Sequence, residues 1–543
     1  MQFIALIGTY LTARSVLLWS WAIFSFIPPL IVCFAVSEKK YVIFSLILFF
    51  VSQQAIYIFA NPNWGITFGS DAINDFQTAS LISELSHFDL GKLGYASRLS
   101  YSYYPMLHLF SVSLSAISGI TLMSVALYLV PFLNAVLTVF ILYYLNHELF
   151  GLDGFERNLA TLAFEIGFVY TTFDSQFVRE AFAFPIVLMF LWVFVRLANR
   201  QNSSYGVIAF LLILVTTFAH QISSFVCLLL LALITICFNV FRQNNKLNRF
   251  LLLTAVIISS YTAFVAFSFS STQVDYALEG LRAIFDRGDT ITVMRSSSVS
   301  SLYLSIIYYM ILAVFVIIAG VKLLKSKKKD WLAFVVLVFF LFVFVVCVLL
   351  RLSTSANPWG WTYYMALRGT IWAFIGLSVS VSIGMVYAFK LKSVHRLRFI
   401  GLLLVVCLLA AGKFSQYPSL ITDQSSSPIN YTRYIAAIWL KEEVPHGSIM
   451  LIAPYTSDNA AFEASRGMAP YAYLKEYFLD NTGHTFDKFS GYVPFVGEFF
   501  NQYRNSNDVS IIYSNGETQI GYKSLSTQFS STSPSPLAVF EGT

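Results

Sequence analysis

Long apolar runs separated by short polar breaks dominate the chain. A helix needs roughly 20 mainly apolar residues to cross a bilayer. By that measure the pattern predicts about twelve spans, at 15–36, 41–60, 121–146, 159–173, 182–198, 206–220, 222–241, 249–270, 301–323, 331–350, 368–390 and 398–412. The expected architecture is an all-α polytopic membrane bundle over residues 1–412. Lys39 and Lys40 lie between the first two spans, and further basic clusters follow at Arg196 and Arg200, at Arg242, Lys246 and Arg249, at Lys322 and Lys325 to Lys329, and at Lys390 to Arg398. Each falls at every second connection. Short cytoplasmic loops retain Lys and Arg, so these connections are expected inside and the alternate ones outside.

The connections expected outside are 61–105, the corner around 174–180, the corner at His220, 271–300, 351–368, and everything after about 413. Residues 103–119 are apolar but too short to cross comfortably, which predicts a helix lying along the outer surface. Past 413 the composition turns polar, with 8 basic and 12 acidic groups in 413–543. A small extracytoplasmic α/β domain is expected there: a helix at 434–443, a strand at 448–453, and a hairpin of 509–513 with 518–522 around Asn515-Gly516. The Ser/Thr/Pro-rich end after about 525 is expected to be disordered.

Composition agrees with lipid as the main solvent. Apolar residues make up 57% of the 543 and charged residues 11%, against roughly 45–50% and about 25% in soluble domains. The net charge of +6 is dispersed in the short clusters rather than gathered on one domain, so no nucleic-acid partner is implied. The five cysteines sit inside apolar runs without CxxC spacing, which argues against a disulfide framework or a zinc site.

In so apolar a chain, ionisable residues at span ends are the best functional pointers. The first outer loop reads G-S-D-A-I-N-D-F-Q-T-A-S-L-I-S-E-L-S-H-F-D-L-G, with a helix predicted over 74–87. Ser70, Asp71 and Asp75 fall at its N-terminal end, where capping of free backbone N–H groups is worth about 1 kcal/mol. Asp75 is the stronger candidate cap; Asp71, at the membrane rim, is the candidate general base or metal ligand. Arg179 is expected to pair with Glu180 or Asp174 unless it serves an anion. Arg368 is expected to snorkel to headgroups unless it serves a ligand, and His220 to be a hydrogen-bonded edge residue. His108, on the apolar face of the surface helix, reads as a packed histidine, and His87 as one near a helix end.

The loop, the following Y-S-Y-Y-P-M-L-H-L-F at 101–110, D-S-Q-F-V-R-E at 174–180, F-A-H-Q-I-S-S-F at 218–225 and Y-M-A-L-R-G-T around Arg368 together carry a family likeness. The chain resembles the GT-C superfamily of polytopic glycosyltransferases, especially archaeal members related to protein mannosyltransferases and oligosaccharyltransferases. Gln77 stands where a His is usual in that pattern, and Tyr104-Pro105-Met106 lacks its second Pro or Gly. The resemblance implies a sugar donor on a polyprenyl phosphate, reached from the bilayer, and an acceptor arriving from outside. It implies Asp71 as catalytic residue. Asp75, His87, Tyr104, His108, Asp174, Arg179, Glu180, His220 and Arg368 are implied as substrate-binding residues. A divalent cation, Mg2+ or Mn2+, is implied at Asp71 and Asp174. Breaking an anomeric phosphate bond builds positive charge on the sugar and negative charge on the leaving phosphate, which Asp71 and the Arg and His groups suit respectively.

Three other readings remain open from the sequence, one of them a degenerate, non-catalytic relative of that superfamily. A polysaccharide polymerase or ligase would also use polyprenyl-linked sugars but would carry its site in a late loop, whereas here the acids lie in the first. A transporter would place ionisable residues near the middle of spans, where Glu165 is the main example.

Overall fold

The computed structural model describes residues 26–59, 70–88, 103–165, 174–200, 203–242, 245–269, 299–325, 331–353 and 361–390, single positions between 401 and 409, and five strands beyond. The chain divides into two compact units, Met1–Gln424 and Ser425–Thr543. The described part of the first unit is helical: α1 (Ile27–Ala35), α2 (Lys39–Phe59), α3 (Ser70–Leu85), α4 (Met106–Ser118), α5 (Leu122–Glu148), α6 (Gly154–Phe164), α7 (Arg179–Arg200), α8 (Ser203–Ala219), α9 (Gln221–Arg242), α10 (Asn245–Phe269), α11 (Val299–Lys325), α12 (Trp331–Ser353) and α13 (Trp361–Lys390).

Among the described residues, Leu122–Glu148, Arg179–Ala198, Asn248–Val265 and Gly369–Phe389 are long and apolar enough to cross a membrane. Several helices start or end outside their apolar stretch. The helix expected from 368 begins at Trp361, because polar and aromatic residues continue a helix beyond the hydrocarbon depth, whereas the span expected at 159–173 meets a helix running only from Gly154 to Phe164, with 166–173 outside the described residues. Only single positions of the expected span at 398–412 are described, and the first half of the one at 15–36 lies outside the described residues.

The centre of the bundle is built on α13, which packs against α12, α11 and α6. Small residues on α13 let these backbones approach, the usual device where lipid supplies no hydrophobic drive. A Cβ at Gly384 would collide with the Phe315 carbonyl of α11, and one at Gly376 or Gly369 would press on Phe340 or Cys347 of α12. Trp372 of α13 is buried against Phe184 of α7 at 4.8 Å, and Phe184 stacks on Phe164 of α6 at 5.7 Å.

Helix α5 contains a π turn at Val125–Leu129 immediately before Pro131. Proline has no N–H for the helical ladder, and the wider turn accommodates that loss. The Pro131 carbonyl accepts from Gln54 Nε2 of α2 at 3.0 Å.

Ion pairs cluster where several helices end together. Arg196 near the end of α7 forks onto Glu148 at the end of α5, with Nε at 2.9 and 2.8 Å from the two carboxylate oxygens, and lies over Trp192. Lys322 near the end of α11 pairs with Glu156 at the start of α6 at 3.0 Å, and Ser382 of α13 donates to the Glu156 carbonyl at 2.6 Å. The charge alternation places all of these helix ends on one side, and the contacts join them there. Arg157, beside Glu156, lies over the Tyr143 ring at 4.1 Å.

The described part of the second unit is a five-stranded sheet in the order β2-β1-β3-β5-β4. Its strands are β1 (Ile449–Ile452), β2 (Lys475–Phe478), β3 (Gly491–Phe495), β4 (Val509–Ser514) and β5 (Gln519–Lys523). β1 pairs in parallel with β2 and β3, while β5 runs antiparallel to β3 and β4. The hairpin read from 509–513 and 518–522 is thus present as β4 and β5, with a register shift between Ile511 and Tyr513. The Asn515-Gly516 turn, the helix expected at 434–443 and the end after 525 lie outside the described residues.

Candidate functional site

Opposite the ion-paired end, the first-loop helix α3 meets the N-terminus of α7 and the surface helix α4. α3 starts at Ser70, four residues earlier than expected, so Asp75 sits in its second turn and does not cap it. The face carrying Asp75, Phe76, Ala79 and Ile82 is buried, and Phe76 packs edge-on against Phe177 at 6.3 Å. Asp75 is only 1% exposed.

That carboxylate takes two hydrogen bonds and an ion pair. Asp75 Oδ1 lies 2.8 Å from His108 Nε2 and 2.9 Å from Arg179 Nε, and Oδ2 accepts the Arg179 backbone N–H at 3.1 Å. Arg179 is the first residue of α7, so Asp75 caps a helix after all, but one 104 residues further along the chain. The expected pairing of Arg179 with Glu180 or Asp174 gives way to this one. The Arg179 backbone supplies a hydrogen bond and its side chain an ion pair, so the buried charge is compensated.

His108 is fully buried on α4. Burial pushes its imidazole pKa below the ordinary value and Arg179 adds to that, while the hydrogen bond and charge of Asp75 oppose it. The net direction is down, so the ring is neutral near pH 7 and donates from Nε2 to Asp75. The packed histidine expected from the sequence is therefore packed and also hydrogen-bonded. Tyr104, just before α4, is buried with its ring 5.8 Å from the Arg179 guanidinium. Burial pushes the Tyr104 hydroxyl pKa up. The Tyr261 ring of α10 meets Tyr104 edge-on at 5.9 Å, and the Tyr261 hydroxyl donates to the Tyr103 carbonyl.

α4 presents opposite characters on its two sides. Leu107, His108 and Ser111 are buried, while Phe110 and Ile117 are exposed, Ile117 by 86%. The helix ends at Gly119 in the left-handed conformation, φ 71°, where a side chain would be strained. An apolar, outward-facing side suits a helix resting on lipid.

Asp174 is buried beside this cluster's entry segment, with Oδ2 accepting from Gln54 Nε2 at 2.7 Å. Gln54 also reaches the Asp174 carbonyl at 3.2 Å, joining α2, α5 and the segment before α7. Glu180 is buried in the first turn of α7, where a carboxylate favours the helix dipole.

His220 precedes α9 and caps it. Its Nδ1 accepts the Ser223 backbone N–H at 3.3 Å and lies 2.9 Å from the Ser223 hydroxyl. A ring nitrogen that accepts an N–H carries no proton, so Nδ1 is the unprotonated nitrogen in this contact. His87 follows the end of α3, where its Nδ1 donates to the Leu85 carbonyl at 2.7 Å. It lies about 18 Å along the helix from Asp75, so it stands apart from the buried cluster.

Asp71 lies in α3 one helical turn before Asp75, and Arg368 lies in the first part of α13; their side chains are outside the described residues. Among the described residues no group of three His, Cys, Asp or Glu converges at metal-binding distance.

Gln54 and Tyr261 join these contacts without belonging to any motif in the sequence. The signal was present as Gln53-Gln54 in the apolar run of α2 and S-S-Y-T at 259–262 in α10, since polar groups within a span are rarely without purpose.

No protein-family model matches the chain, and no curated protein matches it in sequence. The fold does have solved counterparts. The crystal structure of ArnT from Cupriavidus metallidurans bound to undecaprenyl phosphate superimposes with a TM-score of 0.52 at 10% identity, over 90% of this chain and 98% of that one. The apo structure of the same protein gives 0.50 at 10% identity, over 84% and 94%. The chain therefore has the polytopic membrane fold that the GT-C resemblance implied.

Proposed function

We propose that this chain is a glycosyltransferase that moves a sugar or glycan from a polyprenyl-phosphate-linked donor to an acceptor at the outer membrane face. The observation that carries the reading is the convergence of Arg179, at the N-terminus of α7, with the first-loop helix that also bears Asp71. The fold shared with a protein crystallised on undecaprenyl phosphate supports the class of donor.

In this reading the bond between the anomeric carbon and the donor phosphate breaks, and a bond to the acceptor heteroatom forms. Asp71 takes the acceptor's proton. Arg179 meets the departing phosphate with its terminal nitrogens, at a helix N-terminus whose dipole also favours an anion. Arg368 is assigned to the same phosphate from α13. His220, as a neutral cap, contributes an Nε2–H donor rather than a charge. Asp75 and His108 are too buried to touch substrate; Asp75 holds Arg179 and His108 holds Asp75.

Asp71 and Asp174 would be the residues to hold a Mg2+ or Mn2+ ion, since one or two carboxylates commonly do so in sites that take phosphate substrates. When bound it would neutralise charge on the phosphate.

The reading is tested with full-length protein in bilayers containing a labelled polyprenyl-phosphate sugar. Release of label from the lipid should fall by a factor on the order of 100 to 10,000 in Asp71→Asn, the range expected for loss of a general base. Near-normal release by that variant would remove Asp71 from catalysis and favour the polymerase or ligase reading.

A further inference from the structure

We infer that Arg157, at the ion-paired end of the bundle, marks a binding site for a phosphate group, of the kind an anionic lipid carries in the adjoining leaflet. The site lies at the opposite end of the bundle from the candidate donor site, and it does not depend on the glycosyltransferase reading.

Arg157 lies in the first turn of α6 and is only 5% exposed. Its guanidinium lies over the Tyr143 ring of α5 at 4.1 Å, and its Nε is buried with no hydrogen-bond partner. The acids around it are committed elsewhere: Glu156 pairs with Lys322 at 3.0 Å, Glu148 with Arg196, and Asp153 with His147 at 2.9 Å. Among the described residues no carboxylate pairs with Arg157. A guanidinium keeps its proton at physiological pH, so its burial is not relieved by neutralisation. Stacking on a ring recovers only part of the cost of taking such a charge out of water, and an anion would recover the rest.

Two neighbouring amides lack donors. Asn158 Nδ2 donates to the Cys33 carbonyl near the end of α1 at 3.3 Å. Asn146 Nδ2 donates at 3.2 Å to the Thr161 hydroxyl, which itself donates to the Arg157 carbonyl. Those partners fix which way each amide points, and both Oδ1 atoms are left buried without a partner. Asn158 adjoins Arg157 and Thr161 lies one turn further along α6, so one donor and two acceptors go unmet close together. A phosphodiester with a hydroxylated headgroup carries the complementary set, anionic oxygens for the arginine and O–H groups for the amides. The surroundings favour a lipid source. α6 packs against α1 and α2, with Lys39 exposed at the start of α2. The basic clusters put these helix ends at the inner surface, where basic pockets between spans take anionic headgroups.

The test is thermal unfolding of the full chain in detergent with phosphatidylglycerol or phosphatidylcholine added, affinity being read from the rise of the midpoint with lipid concentration. Wild type should bind phosphatidylglycerol about 10-fold more tightly, as expected for charge-assisted hydrogen bonds, and keep that preference in high salt because the site is buried. Arg157→Gln should abolish the preference, whereas Lys40→Gln, at an exposed lysine paired with Glu38, should leave it intact. Inorganic phosphate forms a second arm: displacement of phosphatidylglycerol by it supports the phosphate site and makes soluble phosphate the ligand, and failure to displace assigns the site to lipid. Equal affinity of the wild type for the two lipids, a preference that vanishes in high salt, or equal loss in both variants would overturn the inference. Should Arg157→Gln not fold, the wild-type comparison decides together with Arg157→Lys, which keeps the charge but not the planar fork and should bind phosphatidylglycerol more weakly.

Discussion

Asp75 and Arg179, 104 residues apart, meet so that one carboxylate oxygen accepts the arginine backbone N–H at 3.1 Å and the other lies 2.9 Å from its Nε. The pair joins the first outer loop to the N-terminus of a helix whose other end, at Arg196, is held by Glu148. About 26 Å separates the two arginines along α7, close to the thickness of a bilayer's hydrocarbon core.

Removing one partner of a buried pair leaves the other uncompensated. Asp75→Ala should therefore destabilise the membrane unit by about 3–5 kcal/mol, and Asp75→Asn by less, because the amide oxygen still accepts. Thermal unfolding in detergent, compared with Arg179→Ala, measures this; an unchanged midpoint in Asp75→Ala would show that the contact carries no stability.

His108 gives the fold an acid-sensitive point. Its folded-state pKa is depressed from the ordinary 6.5, chiefly by burial. Below pH 6.5 the unfolded chain therefore binds a proton that the folded chain resists, and stability falls as pH drops through that value toward the folded pKa. Above 6.5 the contribution of His108 is fully present. His108→Gln, which does not titrate, should flatten the melting temperature between pH 7 and 5 relative to wild type; parallel profiles would contradict the assignment.

At the α13 seam, Gly384 has no room for a side chain against the Phe315 carbonyl. Gly384→Ala should cost about 1–3 kcal/mol by overpacking, whereas Gly320→Ala, where a Cβ meets nothing within 4 Å, should be neutral. Differential scanning of the two variants separates them, and equal stability would refute the close approach.

The alternation of basic clusters predicts sidedness directly. Cysteine placed at Ser326, within the Lys325–Lys329 cluster, should be reached by a membrane-impermeant reagent only after lysis, while one at Ser506 should label in intact cells. The reverse pattern would invert the site together with the map.

Helices such as Lys39–Phe59, expected at 41–60, and Gln221–Arg242, expected at 222–241, were legible because each coincides with a continuous apolar run. Their ends were less so, since charged and aromatic interfacial residues extend helices without adding apolar signal. Asp75, His108 and Arg179 were each visible as candidates, but their partnership was not. Contacts spanning 33 and 104 residues arise from helix packing, and local spacing at Asp75 suggested a cap for its own helix when it caps another. Asp174 likewise looked like a partner for Arg179, yet its carboxylate accepts from Gln54, a residue inside an apolar run whose partner no sequence spacing indicates.

The measurement that bears most directly on the account is donor choice in right-side-out vesicles carrying the full chain. Labelled sugar is supplied either on a polyprenyl phosphate in the outer leaflet or as a nucleotide sugar in the external buffer. The account predicts that label leaves only the lipid-linked donor, and that Asp71→Asn and Arg179→Gln both suppress its release. Consumption of the nucleotide sugar, or equal release from the lipid donor by wild type and both variants, would contradict it.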